Sequence, residues 1–133
     1  MHEPEGICKH TSHTPEAVEF SGLAWDHTRG YVPLVAAAQR LSELYPGVTI
    51  AWRKRSLKAF GDQPLHNLAH DFDLLVIDHP FVGYAAVHGL ILPLDDHLPT
   101  AFLADQEAQS VGASYASYSW DGHQWALAID AIW

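Results

Sequence analysis

The run Phe72-Asp73-Leu74-Leu75-Val76-Ile77-Asp78-His79-Pro80 constrains the fold more than any other stretch of this chain. Its apolar residues do not alternate with polar ones. That pattern predicts a strand buried on both faces, as in a parallel sheet covered by helices. The run stops abruptly at Asp78-His79-Pro80. Polar groups therefore stand where the strand leaves the sheet, and Pro80 disfavours helix at His79. In open α/β sheets, ligands bind outside the carboxyl ends of the strands. The same residues would also serve as an ordinary polar turn.

The flanking segments read as strand, helix, strand, helix, strand. Residues 20–25 form the first strand, followed by a loop Asp26-His27-Thr28-Arg29-Gly30. Tyr31-Val32-Pro33 opens a helix, with proline suited to a first turn. Leu34, Val35, Ala38, Leu41 and Leu44 recur on one face, and Pro46-Gly47 ends the helix. Val48-Thr49-Ile50-Ala51-Trp52 is a second strand near an edge. Residues 57–70 read as two helical pieces, interrupted by Gly61 and Pro64. His66 and His70 are one turn apart, without the glutamate of an HExxH motif.

After the third strand, residues 81–88 predict a short helix stopped by Gly89. Leu90-Ile91-Leu92-Pro93-Leu94 predicts an extended piece, and residues 98–110 a loop with a helical turn. Residues 114–120 and 123–129, joined by Asp121-Gly122, predict a β-hairpin. The alternation predicts an α/β fold with a mainly parallel sheet and right-handed crossovers; the arrangement expected is a three-layer α-β-α lobe, with 2-1-3 taken as its strand order.

Composition narrows the function. The chain has 133 residues, enough for one domain. No apolar run reaches the ~20 residues needed to span a bilayer. Residues 1–18 read as a disordered leader without a signal peptide; Cys8 with His2, His10 and His13 matches no closed zinc spacing. Residues 19–133 form the folded unit. The net charge of -9 argues against a nucleic-acid partner. Of the seven basic residues, Arg40, Arg53, Lys54, Arg55 and Lys58 crowd one stretch, and none follows Lys58.

Two Asp-His pairs stand at corresponding places, Asp26-His27 after the first strand and Asp78-His79 after the third. With order 2-1-3, these strands flank the topological switch point, so Trp25, Asp26, His27, Asp78 and His79 would line one mouth. Carboxylates and imidazoles can bond hydroxyls or amines, and a tryptophan face can stack on a sugar or cation. Arg29 could meet an anion bidentately. A hydrolase would use Ser56 after the second strand, although no G-x-S-x-G is present. A metal site would draw on the same two Asp and two His.

Several segments together carry a family resemblance. They are Leu23-Ala24-Trp25-Asp26-His27 with Gly30-Tyr31 and Pro33-Leu34, Leu44-Tyr45-Pro46-Gly47-Val48, the 72–78 strand, and Tyr118-Ser119-Trp120-Asp121-Gly122 with Trp125-Ala126-Leu127 and Asp130. In this order they resemble the extracellular solute-binding proteins of ABC importers, in the family 1, sugar-type group, over about residues 20–133. The resemblance implies a periplasmic-binding-protein-like (type II) clamp of two lobes, with the ligand held between them and presented to a membrane permease. This chain matches the first lobe only and stops near the hinge, so the expected unit is incomplete. Carried over by position, Trp25, Asp26, His27, Asp78, His79 and Asp130 contact ligand, with Ser56 beside them. The implied protein is a binding component, not an enzyme. It needs no cofactor and works outside the cytoplasmic membrane, although the absence of a signal peptide would leave it in the cytoplasm. Two other readings compete with it. One is a stand-alone α/β hydrolase or metalloenzyme with an Asp/His site. The other is an interaction module that self-associates through the exposed hinge edge at Ala131-Ile132-Trp133.

Overall fold

The computed structural model describes residues 17–56 and 65–130. Residues 1–16, the first helical piece expected after Ser56, and the hinge edge at 131–133 lie outside the described residues. Three strands form a parallel sheet in the order β2-β1-β3. They are β1 (Val18–Trp25), β2 (Val48–Arg55) and β3 (Leu74–Leu75). The register runs from Val18 opposite Val48 to Trp25 opposite Arg55, with Leu23 opposite Leu75. The expected α/β class and strand order are both present, and the helices are consistent with a three-layer lobe. No described helix is long and apolar enough to cross a membrane.

The centre of the sheet is β1, not the 72–77 run. Gly22, Leu23 and Ala24 are buried, whereas Leu74 is 39% exposed. The run expected to be covered on both faces is an edge, and only two of its residues pair as strand. Its backbone finds other partners. Val76 N–H donates to Leu23 O at 2.9 Å, and the Tyr118 hydroxyl donates to Ile77 O at 3.2 Å. Ile77 is buried after the chain has left the ladder. An apolar run can thus be buried by loop and helix packing as well as by a second neighbouring strand. Gly22 has a steric role. A Cβ there would lie 2.5 Å from the Trp52 ring, so glycine lets that indole lie against β1.

Helix α1 spans Thr28–Leu44 and begins three residues before the expected start. His27 is the reason. It is extended (φ -150, ψ 145), and its Nδ1 accepts the Arg29 N–H at 3.1 Å. An imidazole here satisfies an orphan donor, as Ser or Asp usually does. Pro33 therefore sits inside the helix, where the N–H it lacks would have met the Arg29 carbonyl. Gly30 is buried against Trp25, whose ring would lie 3.0 Å from an added Cβ. Tyr45 closes the helix by donating its N–H to Leu41 O, just ahead of Pro46-Gly47.

Helix α2 (Leu65–Asp71) buries Leu68 and leads into β3. A 3-10 turn at His79–Phe81 contains Pro80 and runs directly into α3 (Val82–Val87). Helical geometry thus starts at His79, earlier than the proline rule predicts. Gly89 takes φ 66 beyond the His88 cap, as expected. The extended piece expected at residues 90–94 is irregular and ends in a 3-10 turn, Leu94–Asp96. The expected loop at 98–110 is instead α4 (Thr100–Gln109). Only Leu103 is buried on it, so no apolar stripe betrays the helix; strong helix formers such as Ala, Leu, Glu and Gln favour it.

The hairpin is present but short. β4 (Ser119–Trp120) pairs antiparallel with β5 (His123–Gln124). Asp121 (φ 52) and Gly122 (φ 79) make the two-residue turn that Asp-Gly predicts. Residues 116–118 coil into a 3-10 turn, which cuts the first strand back. Gly83 of α3 faces Trp120: an added Cβ would lie 2.9 Å from its ring. The core of the described residues is small, with Leu23 and Val82 its largest fully buried side chains.

Candidate functional site

The carboxyl ends of β1 and β3 open into one cleft of about 750 Å3. β1 delivers Trp25 as its last residue. The first turn of α1 adds Arg29 and Gly30, and the chain leaving β3 adds Asp78, His79 and Pro80. The far wall comes from residues 111–114 with Ser117 and Tyr118, and Ile129 and Asp130 complete it. This is the switch-point crevice that order 2-1-3 implies.

An ion pair bridges the cleft's two ends of sequence. Arg29 Nε donates to Asp130 Oδ2 at 3.0 Å, 101 residues apart. The same guanidinium lies 5.4 Å over the Trp25 ring, and His27 stacks on that indole at 4.5 Å. Arg29 is thus held between a carboxylate and an aromatic face. Asp78 accepts the Phe81 N–H with its carbonyl at 3.0 Å, but its carboxylate has no hydrogen-bond or ion-pair partner among the described residues. Its carboxylate is a ready acceptor for a ligand's hydroxyl or amine.

Tyr118 ties the wall to the strand end through its bond to Ile77 O. Burial pushes its phenol up from 10.0, and the carboxylates of Asp78 and Asp130 push it further. The hydroxyl therefore remains a neutral donor across the physiological range. Ser114 and Ser117 spend their hydroxyls on the local turn, donating to Val111 O at 2.6 Å and Ser114 O at 2.8 Å.

Five of the sequence-selected residues, Trp25, Arg29, Asp78, His79 and Asp130, meet in this cleft. Asp26, His27 and Ser56 do not line it. Asp26 lies 3.8 Å from Lys54 Nζ, and that ammonium also sits 4.7 Å over the Tyr31 ring. His27 is committed to capping α1. Ser56 follows β2 and is not among the lining residues. The two Asp-His pairs thus part company, because Lys54 draws Asp26 aside and the helix cap holds His27, while Asp78 and His79 stay at the mouth. Sequence reasoning did not assign the 111–118 wall to the site. Its one signal is a run of small residues, Gly112-Ala113-Ser114, that leaves space.

Among the described residues, one group of three His, Cys, Asp or Glu side chains converges, Asp95, Asp96 and His123, with ligand atoms within 4.8 Å. None of the three lines the cleft. The group has a structural role. Asp95 Oδ1 accepts the Gln124 N–H at 3.0 Å, and Asp95 Oδ2 meets His123 Nδ1 at 2.9 Å. The hydrogen bond to Asp95, helped by its charge, holds His123 above its ordinary 6.5. Desolvation pushes the Asp95 carboxyl up, but hydrogen bonds from His123 and from backbone N–H groups outweigh it and hold the pKa below 3.8. Stability from the raised His123 is complete below pH 6.5 and is lost as pH rises through its folded value. Stability from the depressed Asp95 is present above pH 3.8 and lost as pH falls through its folded value. The pair therefore contributes most between those limits. An NMR titration should place the His123 midpoint above 6.5 and show it falling in Asp95→Asn. An identical midpoint in the variant would refute the pairing.

A scan of protein-family models and a search of curated proteins return no match to this chain.

Proposed function

We propose that the cleft binds a small polar solute of carbohydrate type, and that the chain acts as the first lobe of a solute-binding clamp serving a membrane importer outside the cytoplasmic membrane. The observation that carries this reading is the meeting of Trp25, Asp78, His79 and Asp130 at the strand ends. An aromatic face beside an unpartnered carboxylate suits the apolar side and the hydroxyl rim of a sugar ring. A cleft of about 750 Å3 lies within the size range of small-ligand sites. The chain's ordered resemblance to sugar-type binding proteins supports the same class. Binding is favoured over hydrolysis, because Ser56 and His79 do not share the cleft.

One lobe covers one side of a ligand, so the expected affinity is weak, with Kd on the order of 1 mM. Calorimetry and thermal melts against sugars, amino acids and polyamines test the reading. A sugar should raise Tm by mass action, and Asp78→Ala and Trp25→Ala should each abolish the rise. A sugar response that survives both substitutions, or none at millimolar sugar, would sink the proposal.

A further inference from the structure

We propose that His66 of α2 and His88 at the end of α3 form a binding site for a divalent transition metal, zinc or copper, with Tyr84 orienting both imidazoles. The site is separate from the cleft and independent of its ligand. The two rings come from different helices, and their centroids lie 5.6 Å apart at an interplanar angle of 77°. A tetrahedral metal bonded at about 2.0 Å to one nitrogen of each ring would hold the centroids roughly 5 Å apart. The observed separation is within about an ångström of that value. Both histidines are exposed, so an ion can reach them.

Tyr84 makes the arrangement specific. Its carbonyl oxygen lies 2.9 Å from His88 Nδ1, and a carbonyl can only accept. His88 Nδ1 therefore carries the proton, and the neutral ring presents its lone pair at Nε2. The Tyr84 hydroxyl lies 3.3 Å from His66 Nδ1, and its oxygen can accept a hydrogen bond from that N–H in the same way. Neither Nε2 has a partner among the described residues. Metal-binding histidines characteristically donate the other ring N–H to an oxygen, which fixes tautomer and orientation. Here one residue supplies both oxygens, and its ring stacks on His88 at 4.1 Å. Imidazole ligands suit zinc and copper and not magnesium or calcium. Two protein ligands leave further positions open to water or to groups from outside.

Calorimetric titration of the full chain with Zn2+ tests the site, with Mg2+ as control. His66→Asn and His88→Asn should each remove one equivalent of bound Zn2+. Tyr84→Phe should weaken that equivalent about tenfold, as loss of an orienting partner does. His123→Asn should leave it unchanged. The histidines near the N-terminus are present in every variant, so differences between isotherms isolate the site. On the unaltered chain, sub-stoichiometric Cu2+ should broaden the NMR signals of His66 and His88. Isotherms that match the parent in both histidine variants would overturn the proposal. So would a loss confined to His123→Asn, or Cu2+ broadening that spares His66 and His88.

Discussion

Leu23→Ala is expected to lower the unfolding free energy by about 2–5 kcal/mol, the range for truncating a buried leucine. Leu23 is 1% exposed and sits in β1 between Arg53 of β2 and Leu75 of β3. Removing three carbons leaves a cavity that two flanking strands cannot readily collapse into. A domain's whole stability is on the order of 5–15 kcal/mol, and this core is small, so the loss is a large share of it. Leu74→Ala is the matching control. At 39% exposure on the sheet edge, it should cost less than about 1 kcal/mol. Urea denaturation measures both, with an unchanged slope showing that the unfolded state is the same. A larger loss at Leu74 than at Leu23 would mean that the 72–77 run, not β1, is the core strand.

Gln124→Leu should destabilise by about 3 kcal/mol, because each buried polar group left unmatched costs roughly 1–3 kcal/mol. Gln124 is 6% exposed and uses every polar atom of its side chain. Its Nε2 donates to Tyr115 O at 2.9 Å and Ala126 O at 2.8 Å, and its Oε1 accepts from Ser119 Oγ at 2.6 Å. Leucine fits the volume but orphans the Ala126 carbonyl and takes the acceptor from Ser119 Oγ, while Tyr115 O keeps only the Tyr118 N–H. The damage is local to function. Residues 115–118 carry Ser117 and Tyr118 into the cleft, so this wall should loosen first. Hydrogen exchange at amides 115–118 should accelerate more than exchange across β1 and β2. Stability within about 0.5 kcal/mol of the parent would show that water replaces the side chain's bonds.

Much of the fold is legible in the chain. The end of α1 at Pro46-Gly47, the stop at Gly89 and the Asp-Gly turn are local, set by backbone sterics within a few residues. The parallel sheet follows from α/β alternation, and its order is the 2-1-3 arrangement on which the expected crevice depended. Helix α4 was hidden because a helix that buries little beyond Leu103 carries no apolar period. The start of α1 was hidden because a histidine cap gives no conventional signal. The candidate site was partly legible. Asp78 and His79 could be placed at a strand end, but the side on which each side chain emerges could not.

By itself, then, the sequence determined the strand-helix-strand alternation up to β3, the turn and cap positions set by Gly and Pro, and where polar groups leave the sheet. Local sterics and hydrophobic periodicity act within a few residues and need no partner. Tertiary structure alone decided that β1 is the centre and the 72–77 run the edge, since burial depends on what lies beyond a strand. It also sent Asp26 to Lys54 and His27 to a helix cap, and brought Arg29 to Asp130 across 101 residues. Those choices depend on competition among distant partners for the same groups, and only the folded chain puts the competitors in reach.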